Sequence, residues 1–323
     1  MNQSPAEPVD ERSLDAAVIS KVWPRFHDVE LAGTRRLKGR SHRVYECTDA
    51  HGGAVVARLS APQRARFNIE ASLVQRCRDA GIPVPAIRYV GSEDAVDGPV
   101  SIMVQDRVAG ETLREHAKRV GPEGAGDAVK QAGEVLARIH QLNTTGFGSV
   151  DASLHGTDSK FGDWFINGLE GKLDDARRIE PTSGRILDRA MALMHTHRAM
   201  LDDCSPRLLH GDFSPDNVIV ESGRIAAVID WEAAKSGPPE MDIGWWDCFF
   251  DSPLTQASEL ITGYERRSRF VPERLMTLRH LAVLRIMIGH FSWTLSVGDP
   301  DGIKHAAERI ALEVDTADSW ASA

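Results

Sequence analysis

The texture of the chain changes once, near Gly110, and that change limits what it can fold into. Before it, short β-prone runs dominate. Arg43-Val44-Tyr45-Glu46-Cys47-Thr48 and Ala54-Val55-Val56-Ala57-Arg58-Leu59 flank the turn Asp49-Ala50-His51-Gly52-Gly53, which predicts a hairpin. Phe67, Ala71, Val74 and Cys77 share one helix face, so 67–80 reads as a helix ended by Gly81. Two more strands are expected over 84–90 and 100–104. Ahead of them, 14–26 reads as a short helix broken near Pro24, and 1–12 as a loose arm. After Gly110, apolar residues recur at helical spacing over 126–142, 183–201, 272–295 and 303–314. A compact β-like segment, 208–231, interrupts them. The expectation is an α+β chain of two lobes, a small β-rich N-lobe over 13–109 and a larger, mainly helical C-lobe over 110–323. Its 323 residues exceed what one core usually carries, which agrees.

Charge narrows the function. Lys and Arg number 38 against 47 Asp and Glu, a net of −9, which argues against a protein that grips nucleic acid or an anionic membrane. The imbalance is not even: residues 1–109 hold 15 basic and 14 acidic side chains, so the C-lobe carries the whole deficit. A cationic ligand there is one reading, and a solvated acidic surface is the other. The four cysteines, Cys47, Cys77, Cys204 and Cys248, form no CxxC pair, which favours reduced thiols in a cytoplasmic protein over a disulfide or zinc framework. The N-terminal residues lack the order of a signal peptide, and no window approaches the ~18 apolar residues of a membrane span.

Several enzyme signatures are missing, among them GxxxxGK[ST], GxSxG, HExxH and GxGxxG. His195 and His197 alternate on a helical stretch, so they do not share a face and read as exposed histidines. One segment stands apart: Leu208-Leu209-His210-Gly211-Asp212-Phe213-Ser214-Pro215-Asp216-Asn217-Val218-Ile219-Val220, followed by Ile225-Ala226-Ala227-Val228-Ile229-Asp230-Trp231. A carboxylate, Asp212, and an amide, Asn217, share a loop, and a second carboxylate, Asp230, follows a hairpin of apolar strands. Such a set can gather one base and two hard oxygen donors around one point. A hydroxyl nucleophile needs a carboxylate to orient it and take its proton. Magnesium needs oxygen ligands and fills its other positions with water and substrate phosphates. These are the parts of a phosphoryl-transfer site.

This pattern resembles the aminoglycoside phosphotransferase family, whose relatives include choline, homoserine and sugar kinases and which shares the protein-kinase-like fold. The resemblance is strongest over 208–246 and extends weakly over about 37–148. It implies that Asp212 is the catalytic base and that Asn217 and Asp230 hold magnesium. Asp242, in Pro238-Pro239-Glu240-Met241-Asp242, resembles the aspartate that braces the catalytic loop. In the N-lobe, Leu37-Lys38-Gly39-Arg40-Ser41-His42-Arg43-Val44-Tyr45 resembles the family's GGxSNxVY loop over the nucleotide phosphates, with Ser41 in place and one glycine missing. Arg58 stands where kinases carry lysine, and Glu70 on the next helix is its natural partner. Gln105 falls at the gatekeeper, and the carbonyl of Asp106 and amide of Val108 would bind adenine. His140, before Gly146-Phe147-Gly148, resembles the family's helix exit and reads as a structural histidine.

The resemblance implies an ATP- and magnesium-dependent enzyme that phosphorylates a hydroxyl of a small molecule, an aminoglycoside-like or other cationic antibiotic. The same-class alternatives are homoserine, choline or a sugar. A protein kinase fits less well, because His-Arg-Asp, Asp-Phe-Gly and Ala-Pro-Glu are all missing; an ATP-binding pseudokinase would not need Asp212, Asn217 and Asp230 together. On the acceptor side, Trp164 is a candidate pocket wall because it sits in the polar stretch Lys160–Trp164, and Asp247 and Asp251 are candidate cation contacts.

Overall fold

The computed structural model describes residues 11–37, 39, 42–179, 184–270, 272–317 and 320. The chain divides into two compact units, residues 1–109 and 110–323. In the first, helix α1 (Glu11–Val22) runs into a single tight turn, Trp23–Arg25, where Pro24 lacks the N–H to continue it. Five antiparallel strands follow, β1 (Leu31–Leu37), β2 (Arg43–Asp49), β3 (Ala54–Ser60), β4 (Ile87–Ala95) and β5 (Gly98–Asp106), in the order β1-β2-β3-β5-β4. Helix α2 (Phe67–Asp79) lies between β3 and β4 in the chain. Alternation does the sorting. Tyr45 and Cys47 of β2 point inward with Ala57 and Leu59 of β3 and pack on Ile19, Val22 and Trp23 of the first helix and turn. The expected strand at 84–90 is displaced to 87–95, because Pro83 and Pro85 cannot donate to a ladder.

The second unit opens with β6 (Glu111–Thr112) and the long α3 (Leu113–Ile139). Thr112 accepts from the Glu115 amide and Glu115 reaches back to the Thr112 amide, a reciprocal cap that starts this helix thirteen residues before the periodicity is legible. The backbone leaves helical geometry at Gly121, just before Pro122, which hides the first turns from a sequence reading. Short strands β7 (Phe147–Val150) and β8 (Gly156–Asp158) precede α4 (Phe161–Ile179), α5 (Gly184–Thr196) and α6 (Arg198–Asp202). Then come β9 (Arg207–Leu209), β10 (Val218–Glu221), β11 (Arg224–Val228) and β12 (Lys235–Gly237). Four helices close the unit: α7 (Glu240–Phe249), α8 (Ala257–Tyr264), α9 (Pro272–Val297) and α10 (Pro300–Asp315). The core here is built by Phe161, Phe165 and Leu169 of α4, Leu187 and Met194 of α5, Leu281, Leu284, Met287 and Phe291 of α9, and Ile310 of α10. Helices α3 and α8 touch backbone to backbone. A Cβ added at Gly133 would stand 2.0 Å from the Leu260 carbonyl oxygen, and one at Gly263 would stand 1.9 Å from that of Lys130.

Candidate active site

A single buried carboxylate organises the loop between β9 and β10. Asp242, on the first turn of α7, accepts the backbone N–H of His210 at 2.8 Å and that of Gly211 at 2.9 Å. Its Oδ2 also lies 3.1 Å from His140 Nε2 at the end of α3, and His140 Nδ1 lies 3.1 Å from the Tyr264 hydroxyl of α8. Burial alone would raise the Asp242 pKa, but the His140 hydrogen bond and the charges of His140 and His210, with the Gly211 amide, carry it below the usual carboxylate range. The brace expected of Asp242, and the structural role expected of His140, are thus one network tying α3, α7 and α8 to the loop.

Gly211 explains why no arginine follows the histidine. Its φ is +79°, and a Cβ there would meet the Ala233 carbonyl oxygen at 2.1 Å, so only glycine fits. His210 Nδ1 accepts the Asp212 backbone N–H at 3.3 Å, which leaves Nε2–H to donate to the Ile229 carbonyl at 3.0 Å. This tautomer ties the loop to the end of β11.

The hairpin β10–β11 closes the distance that separates Asn217 from Asp230 in the chain. Val218 pairs with Val228, and the Ile229 N–H donates to the Asn217 carbonyl at 2.9 Å, so Asp230 emerges one residue beyond Asn217's partner. The Asn217 side-chain amide donates to Asp212 twice, to the backbone carbonyl at 2.9 Å and to Oδ2 at 3.1 Å. Asp230 holds φ +66° and ψ +66°, a left-handed conformation that is strained for a non-glycine residue and that clusters at functional sites. Burial raises the Asp212 pKa, the neighbouring Asp230 carboxylate adds to the rise, and the His210 ring and the Asn217 amide oppose it. The Trp245 indole N–H is buried near the same carboxylate without reaching hydrogen-bond geometry, and it has no acceptor among the described residues.

A family model, described as the phosphotransferase enzyme family, matches residues 33–278, the span that includes this loop and hairpin. The chain belongs to that family. Hygromycin-B 4-O-kinase of Escherichia coli is 25% identical over 198 residues, covering 58% of this chain and 54% of the relative. Acyl-CoA dehydrogenase family member 11 of Gallus gallus is 27% identical over 197 residues, covering 60% of this chain and 24% of the relative. The chain therefore spans about half, or less, of the curated relatives it matches. A thermostable mutant of an aminoglycoside phosphotransferase, solved with ADP and hygromycin B, matches with a TM-score of 0.75 at 20% identity, covering 94% of this chain and 98% of that one. That likeness shows an α+β kinase-like fold.

Within this family member, the sequence-derived candidates take different places. Asp212, Asn217 and Asp230 come together as described. In the first unit, Arg58 on β3 and Glu70 on α2 form a buried ion pair, and the Arg58 guanidinium also lies over the Phe67 ring at 5.6 Å. Asp106 ends β5 with its carboxylate 2.5 Å from Arg88, and Val108 follows, half-buried. Ser41 lies outside the described residues, as does most of the 1–12 arm; Glu11 already begins α1.

One of the two acceptor-side carboxylates needs correction. Asp247 is buried and bound by two guanidinium groups, Arg279 (Nη2 at 2.5 Å, Nε at 3.0 Å) and Arg309 (3.2 Å), so its charge is spent inside the fold. Asp251 accepts the Ala257 N–H at 2.8 Å, where α8 begins. Asp247 is therefore not free to meet a cation, whereas Asp251 is exposed and keeps its second carboxylate oxygen. Trp164 is half-buried with the Arg285 guanidinium 4.0 Å over its ring. Nothing in the sequence marks Lys172, Lys235 or Arg285, because single basic residues carry no spacing signal, although Lys235 and Trp245 both lie within 208–246.

Proposed function

We propose that this protein transfers the γ-phosphoryl group of ATP to a hydroxyl of a small molecule, with aminoglycoside-type antibiotics first among the candidate acceptors and homoserine, choline or sugars as alternatives. The observation that carries this reading is the joint placement of Asp212, Asn217 and Asp230 on a loop clamped by the buried Asp242. Asp212 is the base that orients the acceptor hydroxyl and takes its proton as the bond to phosphorus forms. Burial works in its favour, because a raised pKa makes the carboxylate a better proton acceptor.

Magnesium fits the donor set. Asn217 gives its N–H2 to Asp212, so its side-chain oxygen is the atom left for a metal, and Asp230 supplies a carboxylate. The described residues hold no group of three His, Cys, Asp or Glu able to bind a metal. Two protein oxygens agree with a metal that keeps water and phosphate as its other ligands. When bound, it would neutralise charge on the transferring phosphates. In the first unit, Arg58 held by Glu70 supplies a fork of donors for phosphate oxygens, Ser41 a hydroxyl and amide, and the backbone at Asp106 and Val108 the adenine contacts.

A cytoplasmic setting is supported by the four cysteines, all buried and unpaired, with burial pushing the thiols of Cys47, Cys77 and Cys204 up to about 12. No helix among the described residues is long and apolar enough to cross a membrane.

Calorimetry with ATP, with and without magnesium, tests the metal assignment. Asp230→Ala is expected to abolish the gain in nucleotide affinity that magnesium gives the parent, and Asn217→Ala to weaken it less, since the amide carries no charge. An unchanged magnesium response in Asp230→Ala would place the metal elsewhere. The activity itself is read by ADP release across a panel of hydroxylated amines, sugars and amino acids.

A further inference from the structure

Three cations meet beside the proposed base, and among the described residues no carboxylate pairs with any of them. Lys172 of α4, Lys235 of β12 and Arg285 of α9 form no ion pair among the described residues, although the second unit carries the chain's acidic excess. Their placement follows from helix spacing. Trp164, Gly168 and Lys172 recur every fourth residue on α4, as Arg285 and Gly289 do on α9. A Cβ at Gly168 would stand 3.4 Å from the Arg285 guanidinium, and one at Gly289 would stand 3.7 Å from Lys172 Nζ, so the two faces abut. Lys235 runs along the catalytic loop, its Cε 2.6 Å from where a Gly211 Cβ would be.

Cations this close disfavour one another. Burial lowers the pKa of all three, taking Arg285 to about 10, while Lys172 and Arg285 push Lys235 down further against the upward pull of Asp242 and Asp212. Asp242 is already saturated by two backbone amides and His140, so it cannot discharge the cluster. Nearby, the buried Trp245 N–H, beside the Asp212 carboxylate, adds a donor with no acceptor in hydrogen-bond geometry among the described residues. Cations without a counter-ion, two of them half-buried, and an orphan donor are costly in a fold unless a ligand satisfies them.

We propose that Lys172, Lys235 and Arg285, together with the Trp245 indole, hold an anionic group of the acceptor, a carboxylate or a phosphate, next to the hydroxyl that Asp212 deprotonates. This rests on the phosphotransferase reading of Asp212 and narrows its acceptor to hydroxylated molecules that carry such a group, which sets homoserine and acidic sugars ahead of the aminoglycosides and choline. The nucleotide's own phosphates are the competing anion, but in that reading they already have Arg58 and magnesium. The Trp164 ring, 4.0 Å from the Arg285 guanidinium, holds that cation by its face.

The full chain is assayed for ADP release with matched acceptors: gluconate, homoserine and a hexose phosphate against glucosamine, hygromycin B and sorbitol. Calorimetry measures binding of gluconate, the hexose phosphate and ADP to the same proteins. Arg285→Met keeps the apolar contact with Trp164, and Lys172→Glu changes an exposed residue, so both variants should fold. Turnover is expected on an anionic acceptor, with KM raised at least about tenfold in each variant, kcat within about threefold, and ADP affinity unchanged. Turnover confined to the cationic or neutral acceptors overturns the proposal and leaves the kinase reading intact. Anions that neither bind nor react overturn it too. A loss of ADP affinity in the variants with acceptor KM unmoved assigns the cluster to the nucleotide and also overturns it. Anion binding that the variants abolish, without phosphoryl transfer to any acceptor, upholds the anion site and removes the kinase reading instead.

Discussion

Asp212→Asn is expected to lower turnover by at least about 10²-fold, the scale of a lost general base, while nucleotide affinity stays within a few fold of the parent. Asparagine keeps the shape of the side chain and can still accept the Asn217 N–H2, so the loop has no reason to move. It cannot take a proton. The same change should not cost stability. The Asp212 pKa is raised in the folded protein, so the ionised form that prevails at neutral pH is the one the fold disfavours. The variant's Tm should therefore match or exceed the parent's at pH 7. The difference should shrink as pH falls toward the carboxylate range, where the parent's Asp212 becomes neutral. Turnover and calorimetric Tm on the same preparations decide it. Near-parent turnover would remove Asp212 from its role.

Asp242→Asn should fail in the opposite manner, through the fold. An amide there presents an N–H2 where the loop offers only donors, the amides of His210 and Gly211 and the His140 ring. At least one buried donor loses its acceptor, and the His140 pair loses its charge. Removing one partner of a buried pair costs about 3–5 kcal/mol, a large share of the stability of an ordinary domain. Denaturant midpoints are expected to fall accordingly, and turnover should drop with them because the loop carrying Asp212 is no longer held. A midpoint equal to the parent's, with full activity, would sink this account. His140→Gln offers a graded comparison: it can donate to Asp242 but cannot also reach Tyr264, so an intermediate loss is expected.

What the sequence made legible, and what it did not, divides along physical lines. Arg43–Thr48 and Ala54–Leu59 are readable as strands because β-branched residues and inward alternation coincide there, and the helix at 67–79 because its apolar face is regular. Helix α4 was not anticipated although Phe161, Phe165, Leu169 and Leu173 share a face, because Gly162, Gly168 and Gly171 dilute its propensity. The set Asp212, Asn217 and Asp230 is legible since its spacing is fixed by a tight loop and a hairpin, both local. The acceptor side is not. Asp247 stands out by its charge, but charge on a sequence says nothing of which arginines a fold will bring to it. Arg279 and Arg309 come from helices 32 and 62 residues away. The same blindness concealed the Lys172, Lys235 and Arg285 cluster, drawn from three separate elements.

The facing glycines of α3 and α8 carry a consequence for anyone who would re-engineer this protein. Replacing a helical glycine with alanine is a standard route to greater thermostability, adding about 1 kcal/mol of helix propensity where the helix is free. At Gly133 and Gly263 the neighbouring backbone occupies the space a methyl group needs. A wedge there would spread the two helices near the point where Tyr264 and His140 reach toward each other, His140 seven residues after Gly133 at the end of α3 and Tyr264 directly after Gly263 on α8. Consensus or propensity-guided libraries should hold these two positions fixed, since the spacing of this helix pair sets the reach of the side chains that steady the loop carrying Asp212.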